Sequence, residues 1–260
     1  MTDISDAILT QLSYFSVGLT KRVEGAGSTV IGSGTLVSVG GRRGILTCGH
    51  VAEVYKDLAE IGMVHFAKAG DQKRIVQLGE TRTIILESSP EWSEGELDLA
   101  FTLLPHSVAS SIAAQHLFMN MEINKGKMDV GEPQGAGWTD AMLGLVAEFS
   151  AKPFVDSGQF ISPMRGVLHT GNVIAQENGL LTIKPKAYNL DKLPGSFGGM
   201  SGAGLWRVHF TESEAGPTIL RYTLIGVTSW ENKETKAVAC QGWDRIDQAL
   251  IPAIEKEFPV

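Results

Sequence analysis

A serine set among glycines is the first place in this sequence where residue types imply chemistry. Residues 193–206 read LPGSFGGMSGAGLW, with Ser201 between Met200 and Gly202. Small neighbours let a substrate backbone come close and let backbone N–H groups converge on one point. Gly199 and Ser201 would then offer two donors to a carbonyl oxygen that is turning into an oxyanion. The same composition also builds turns with no chemistry. His50 follows the run Ile45-Leu46-Thr47-Cys48-Gly49, so an imidazole sits where an apolar strand ends. Asp98 opens the run Leu99-Ala100-Phe101. A carboxylate at such a strand start is half buried and needs a donor, which an imidazole Nδ1–H can supply. A nucleophile, a base and an orienting acid are together the parts of an acyl-transfer site.

Taken in the order His, Asp, Ser, these segments resemble the trypsin-like, chymotrypsin-fold serine peptidases. The matching residues are Thr47-Cys48-Gly49-His50, Asp98-Leu99-Ala100 and Gly199-Met200-Ser201-Gly202. Gly32-Ser33-Gly34 is similar to the family's strand before the histidine, and Gly226-Val227-Thr228-Ser229-Trp230 to its cleft-wall strand. The resemblance implies an all-β fold of two antiparallel six-stranded β-barrels with a C-terminal helix and a cleft between the barrels. It implies Ser201 as nucleophile, His50 as general base, Asp98 as its orienting partner, and the Gly199 and Ser201 amides as the oxyanion hole. Gly195, Ser229, Trp230 and Glu231 fall where the family lines its substrate pocket. The activity implied is hydrolysis of peptide bonds through an acyl-enzyme.

Some positions depart from the family pattern. Met200 stands where zymogen-type relatives carry an Asp that pairs with a new N-terminus, so that activation route is not expected. This leaves a site formed as translated, one ordered by a regulatory protein partner, or a catalytically silent barrel used for binding. Gly195 carries no acid to select Lys or Arg. Glu231 replaces a common glycine and could attract a basic side chain or narrow the cleft. A small or apolar residue before the cleaved bond is the expectation.

Other chemistries fit less well. An α/β-hydrolase runs Ser, acid, His, and His209 follows Ser201 too closely for that order. The glycines before Gly34 lack the Gly-Lys-Ser/Thr ending of a P-loop. His65, His106, His116, His169 and His209 show no metal-ligand spacing with acids or thiols, so neither metal nor cofactor is expected.

The elements that must position these residues read as short strands. Thirty glycines among 260 residues point to many tight turns. Strands are expected at Tyr14–Leu19, Thr29–Val39, Gly44–Cys48, Asp98–Leu104, Leu205–Phe210 and Ile219–Ser229. A helix is expected over Val51–Ile61. Hairpins are expected for Arg74–Leu78 with Thr81–Leu86 and around Asn178-Gly179. The N-terminal barrel is placed at about 12–130, the C-terminal barrel at about 145–243, and a terminal helix at about 244–257, interrupted by Pro252. The join falls in the glycine-rich stretch Gly126–Gly144.

The net charge of -7 and the absence of a Lys/Arg run argue against nucleic acid. The acidic N-terminus is no secretory signal, and no run approaches the ~18 apolar residues of a membrane helix. With two cysteines, Cys48 and Cys240, the expectation is a cytoplasmic protein with reduced thiols. Its partner is a peptide or protein substrate.

Overall fold

The structure, a computed structural model, describes residues 3–24, 27–66, 72–77, 81–86, 96–150, 154–156, 159–161, 164–186, 193–214 and 216–259. The first half runs α1 (Ile4–Ser13), β1 (Ser16–Val23), β2 (Gly27–Val39), β3 (Arg42–Thr47), α2 (Gly49–Tyr55) and β4 (Glu60–His65). It continues with β5 (Gln72–Gln77), β6 (Arg82–Leu86), β7 (Leu99–Leu103), α3 (His106–Ala113), β8 (Met119–Asn120) and α4 (Met121–Asp129). Its strands form one sheet in the order β5-β4-β1-β2-β3-β7-β6, with β8 added in parallel on β2. That is more than the six strands expected. The path is not closed among the described residues.

The second half begins with β9 (Gly137–Leu145), eight residues earlier than the boundary near 145. It adds β10 (Phe154–Asp156), β11 (Gln159–Ile161), β12 (Gly166–Glu177), β13 (Leu180–Lys186), β14 (Gly204–Ser213), β15 (Gly216–Glu231) and β16 (Val238–Gly242). Six of these close a barrel in the order β12-β13-β16-β15-β14-β9, antiparallel throughout. β10 and β11 pair with each other as a separate two-stranded sheet. The β-rich architecture of two large sheets with a C-terminal helix is the chymotrypsin-like one.

Local sequence explains several joints. Gly40 and Gly41 both have positive φ, +52° and +82°, which a two-residue hairpin between right-twisted strands requires. Asn178 and Gly179 repeat that geometry between β12 and β13. After α5 (Trp243–Arg245), residues Ile246–Leu250 form a π-helical turn before α6 (Ile251–Glu257). Pro252 explains the break. It lacks an N–H and its ring crowds the carbonyl four residues back, so the chain widens into a π turn.

Two expected elements differ. The helix after His50 ends at Tyr55, and Glu60–His65 is a strand whose Gly62, Met63, Val64 and His65 pair with β1. Pairing with a long neighbour overrides the helical spacing there. The expected hairpin of Arg74–Leu78 with Thr81–Leu86 does not form among the described residues. β5 pairs with β4 and β6 with β7, at opposite ends of the sheet, and residues 78–80 lie outside the described residues.

The larger buried cluster fills the first sheet and runs across to the facing residues Leu143, Trp206 and Leu224 of the barrel. A second cluster, with Met142, Ile183, Met200, Leu205 and Cys240, fills the barrel itself. Among the described residues no helix is long and apolar enough to cross a membrane.

Candidate active site

His50 reaches its place because β3 ends at Thr47 and the chain turns directly into α2 with Cys48 as N-cap. Thr47 is buried and its hydroxyl donates to the Ser33 carbonyl at 2.7 Å, which pins the strand end against β2. Asp98 precedes β7, which pairs with β3, so the two strand ends lie side by side. The Gln241 side-chain amide and the Arg245 guanidinium both donate to the Glu96 carbonyl and hold the approach to Asp98.

Asp98 is fully buried rather than half buried. Its Oδ1 accepts from the His50 backbone N–H at 3.0 Å, and its Oδ2 lies 2.8 Å from His50 Nδ1. The imidazole is 41% exposed while the carboxylate is 1% exposed. One edge of the ring is therefore fixed by a buried acid, and the other faces solvent. With Nδ1–H donating to that acid, Nε2 is left as the basic atom.

Cys48 Sγ lies with the His50 and Asp98 ligand atoms in a group no more than 4.8 Å across. Burial, and then the Asp98 charge, push its thiol pKa well up, so it stays a neutral thiol. It donates to the Thr228 carbonyl at 2.9 Å. Cys48 and Cys240 are both buried and unpaired with each other.

Ser201 lies in the turn before β14, between Gly199 at φ +97° and Gly202 at φ +91°. Both values belong to glycine. A Cβ on Gly202 would sit 2.1 Å from the Ser33 carbonyl oxygen and from Thr47 Oγ1, so the turn packs directly on the strands that carry His50. Ser33 N–H donates to the Ser201 carbonyl at 2.8 Å. Ser201 Oγ donates to the Ser229 carbonyl at 3.2 Å, and no hydrogen bond joins it to His50. The line His50–Asp98 is made; the line Ser201–His50 is not.

The backbone around Ser201 is sharply polarised. The Gly198 carbonyl accepts from the Ala147 N–H at 2.8 Å, and the Gly199 carbonyl accepts from Ser33 Oγ at 2.7 Å. Among the described residues, the Gly199 and Ser201 N–H groups donate to no protein acceptor. Two carbonyls are tied back and two amides are left over.

His50 and Ser201 open on one cavity of about 300 Å³. Phe197, Met200, Thr228, Trp230 and Val238 line it, with Ser229 and Glu231 on the wall and Lys233 also in the lining. Gly195 is not part of the lining. Its carbonyl accepts from the Lys236 ammonium instead. Glu231 is in the lining, but its carboxylate is already engaged. Its Oε2 accepts from Ser196 Oγ and Phe197 N–H, both at 2.9 Å, and its Oε1 lies 3.4 Å from Lys236 Nζ.

The sequence reading missed Ser33, Ser196, Glu148, Lys236 and Val238. Glu148 accepts from the Ser196 N–H at 3.1 Å. Only Ser33 had a signal, as the middle of Gly32-Ser33-Gly34, where flanking glycines announce a close approach.

No family model and no curated protein matches this sequence. Solved structures do match. One is a chain from a study of the coupled folding and binding of the intrinsically disordered VPg protein of Sesbania mosaic virus. It is 17% identical, covers 90% of this chain and 89% of its own, and has a TM-score of 0.44. Another is the protease of tobacco vein mottling virus, 9% identical over 96% of this chain and 85% of its own, also with a TM-score of 0.44.

Proposed function

We propose that this protein is a serine endopeptidase of the trypsin-like kind. The observation that carries the reading is the doubly bonded His50–Asp98 pair, at 3.0 and 2.8 Å, opening on the same cavity as Ser201. Asp98 holds the ring and keeps the proton on Nδ1. Attack requires Ser201 Oγ to leave the Ser229 carbonyl and turn to His50 Nε2, a change between staggered rotamers. Such bonds are often unmade in an empty site and tighten only with substrate.

His50 then takes the hydroxyl proton as Oγ bonds to the peptide carbonyl carbon. The Gly199 and Ser201 amides, with no other acceptor, hold the resulting oxyanion. Collapse breaks the C–N bond, and His50 passes its proton to the departing amine. Water, deprotonated by His50, attacks the acyl-Ser201 ester; the ester C–O bond breaks, His50 returns the proton to Ser201 Oγ, and the acid is freed. The cavity walls are largely apolar, with Phe197, Met200 and Val238 among them, so the preferred residue before the cleaved bond is small or apolar.

Fluorophosphonate labelling tests this directly. Wild type should label, and Ser201→Ala should not. A folded wild type that takes no label under any condition would sink the reading. It would leave the second one, a silent binding module, which the Ser201–Ser229 hydrogen bond favours.

A further inference from the structure

We infer that Glu231 is a positioning residue. Its carboxylate fastens the turn 195–199 so that the oxyanion donors stand ready without any cleavage event or partner. This inference rests on the peptidase reading and concerns the regulation of that same site.

The turn contains two adjacent glycines, Gly198 and Gly199, and nothing in their own chemistry resists a peptide-plane flip. What resists it is a set of acceptors and donors around them. Glu231 Oε2 takes two hydrogen bonds, from the Ser196 hydroxyl and the Phe197 amide, both at 2.9 Å. Ser196 Oγ in turn accepts from the Gly198 N–H at 3.1 Å. The carboxylate thus acts through Ser196 on the peptide next to the oxyanion donor. Hydrogen bonds to an ionised acceptor are roughly twice as strong as neutral ones.

Lys236 completes the arrangement. Its ammonium lies 3.4 Å from Glu231 Oε1 and also donates to the Gly195 carbonyl. The pair is largely sheltered, with Glu231 11% and Lys236 33% exposed. Both the start and the middle of the turn are therefore tied to one ion pair on the β15–β16 side. From the opposite side, the Ala147 amide and Ser33 hydroxyl take the Gly198 and Gly199 carbonyls. The Gly199 N–H is what remains. Met200, where an activation salt bridge would need an acid, is buried in the barrel core. Glu231 supplies from the cleft wall the fastening that Met200 cannot. A carboxylate so engaged has no unpaired charge to draw a basic substrate side chain.

The experiment compares wild type, Glu231→Ala and Glu231→Gln, with the exposed Glu234→Gln as control. Three readouts are taken: kcat and KM on a peptide substrate, affinity for a peptide aldehyde of the same sequence, and amide hydrogen exchange over Gly198–Met200. The aldehyde forms a hemiacetal oxygen that needs the oxyanion donors; the substrate's ground state does not. Losing one oxyanion donor costs roughly 100- to 1,000-fold in kcat, and a loosened turn that still samples the right state should cost about 10- to 100-fold. Aldehyde affinity should fall with kcat, KM should move about threefold or less, and exchange at the turn should rise about tenfold. Glu231→Gln, which keeps an oxygen acceptor, should lose less than Glu231→Ala. A wild type that labels at Ser201, with both variants within twofold of it in kcat and in exchange, would overturn the inference and leave the peptidase reading intact. A wild type that takes no label, with faster exchange at the turn of Glu231→Ala, would overturn the peptidase reading and keep the fastening.

Discussion

The hydroxyl of Ser33 donates to the carbonyl of Gly199 at 2.7 Å while accepting the Leu145 amide at 2.9 Å. One side chain from β2 thereby fixes the turn that carries Ser201 and the end of β9. Ser33→Ala leaves a half-buried carbonyl and a buried amide unpaired, at about 1–3 kcal/mol. The expected outcome is a lower urea midpoint together with slower fluorophosphonate labelling of Ser201. Unchanged labelling in a stable variant would remove Ser33 from the site's support.

Asp98→Asn keeps the shape of the buried acid but reverses the hydrogen-bond logic at Nδ1. The ring then holds its proton on the wrong nitrogen. For a triad of this type the loss in kcat is roughly 10⁴-fold. Hydrolysis of a fluorescent peptide measures it, and a loss under about tenfold would mean that Asp98 does not orient His50.

Gly202 and Gly41 offer a paired test of crowding against backbone strain. Both have positive φ, +91° and +82°, but a Cβ on Gly202 meets two atoms at 2.1 Å and one on Gly41 meets nothing within 4 Å. Gly41→Ala should cost about 1 kcal/mol, the strain alone. Gly202→Ala should cost at least about 3 kcal/mol, because strand β2 must move as well. Chemical denaturation of the two variants compares them.

His169 sets a pH dependence. It is buried with its ring edge-on to Phe197 at 5.0 Å, and burial pushes its pKa down to about 4, with the Lys186 backbone opposing. A lowered pKa means that between the ordinary value of about 6.5 and about 4 the unfolded chain binds the proton and the folded one does not. Stability from this group is complete above pH ~6.5 and is lost as pH falls toward ~4. At about 1.4 kcal/mol per pH unit the loss is on the order of 3 kcal/mol. Thermal melts from pH 7 to 4 should show His169→Leu less acid-sensitive than wild type.

Much of the proposed site was legible because its candidate catalytic groups sit at ends of strands, and strand ends carry local marks. His50 follows an apolar run, Asp98 precedes one, and Ser201 lies among glycines whose positive φ demands them. The two-residue hairpin at Asn178-Gly179 was legible because its turn, too, requires residues that accept positive φ. Helix α1 was missed although Asp3 caps it and Ile8 and Leu12 bury one face. Its ten residues give too few turns for the period to stand out. The partners of β5 and β6 were misread because an edge run chooses its neighbour by tertiary fit and not by adjacency. Glu231 was harder to read for a deeper reason. It stands in the cavity wall, but which of its two expected roles it takes depends on Ser196 and Lys236, which only the folded chain brings near its carboxylate.

The first and last helices change places. α1 packs on β9 and β15 of the barrel, and Phe15, just beyond it, lies 5.3 Å from the Trp206 ring and 5.5 Å from that of Tyr222. The closing helical segment lies on β7 and β2 of the first sheet, where Arg42 donates to the Phe258 carbonyl and Arg82 pairs with Glu257. Each half is thus strapped by a piece of chain from the far side of the sequence. Neither half can come apart without releasing the other's strap, so the cleft walls should melt in a single step and keep their spacing until they do.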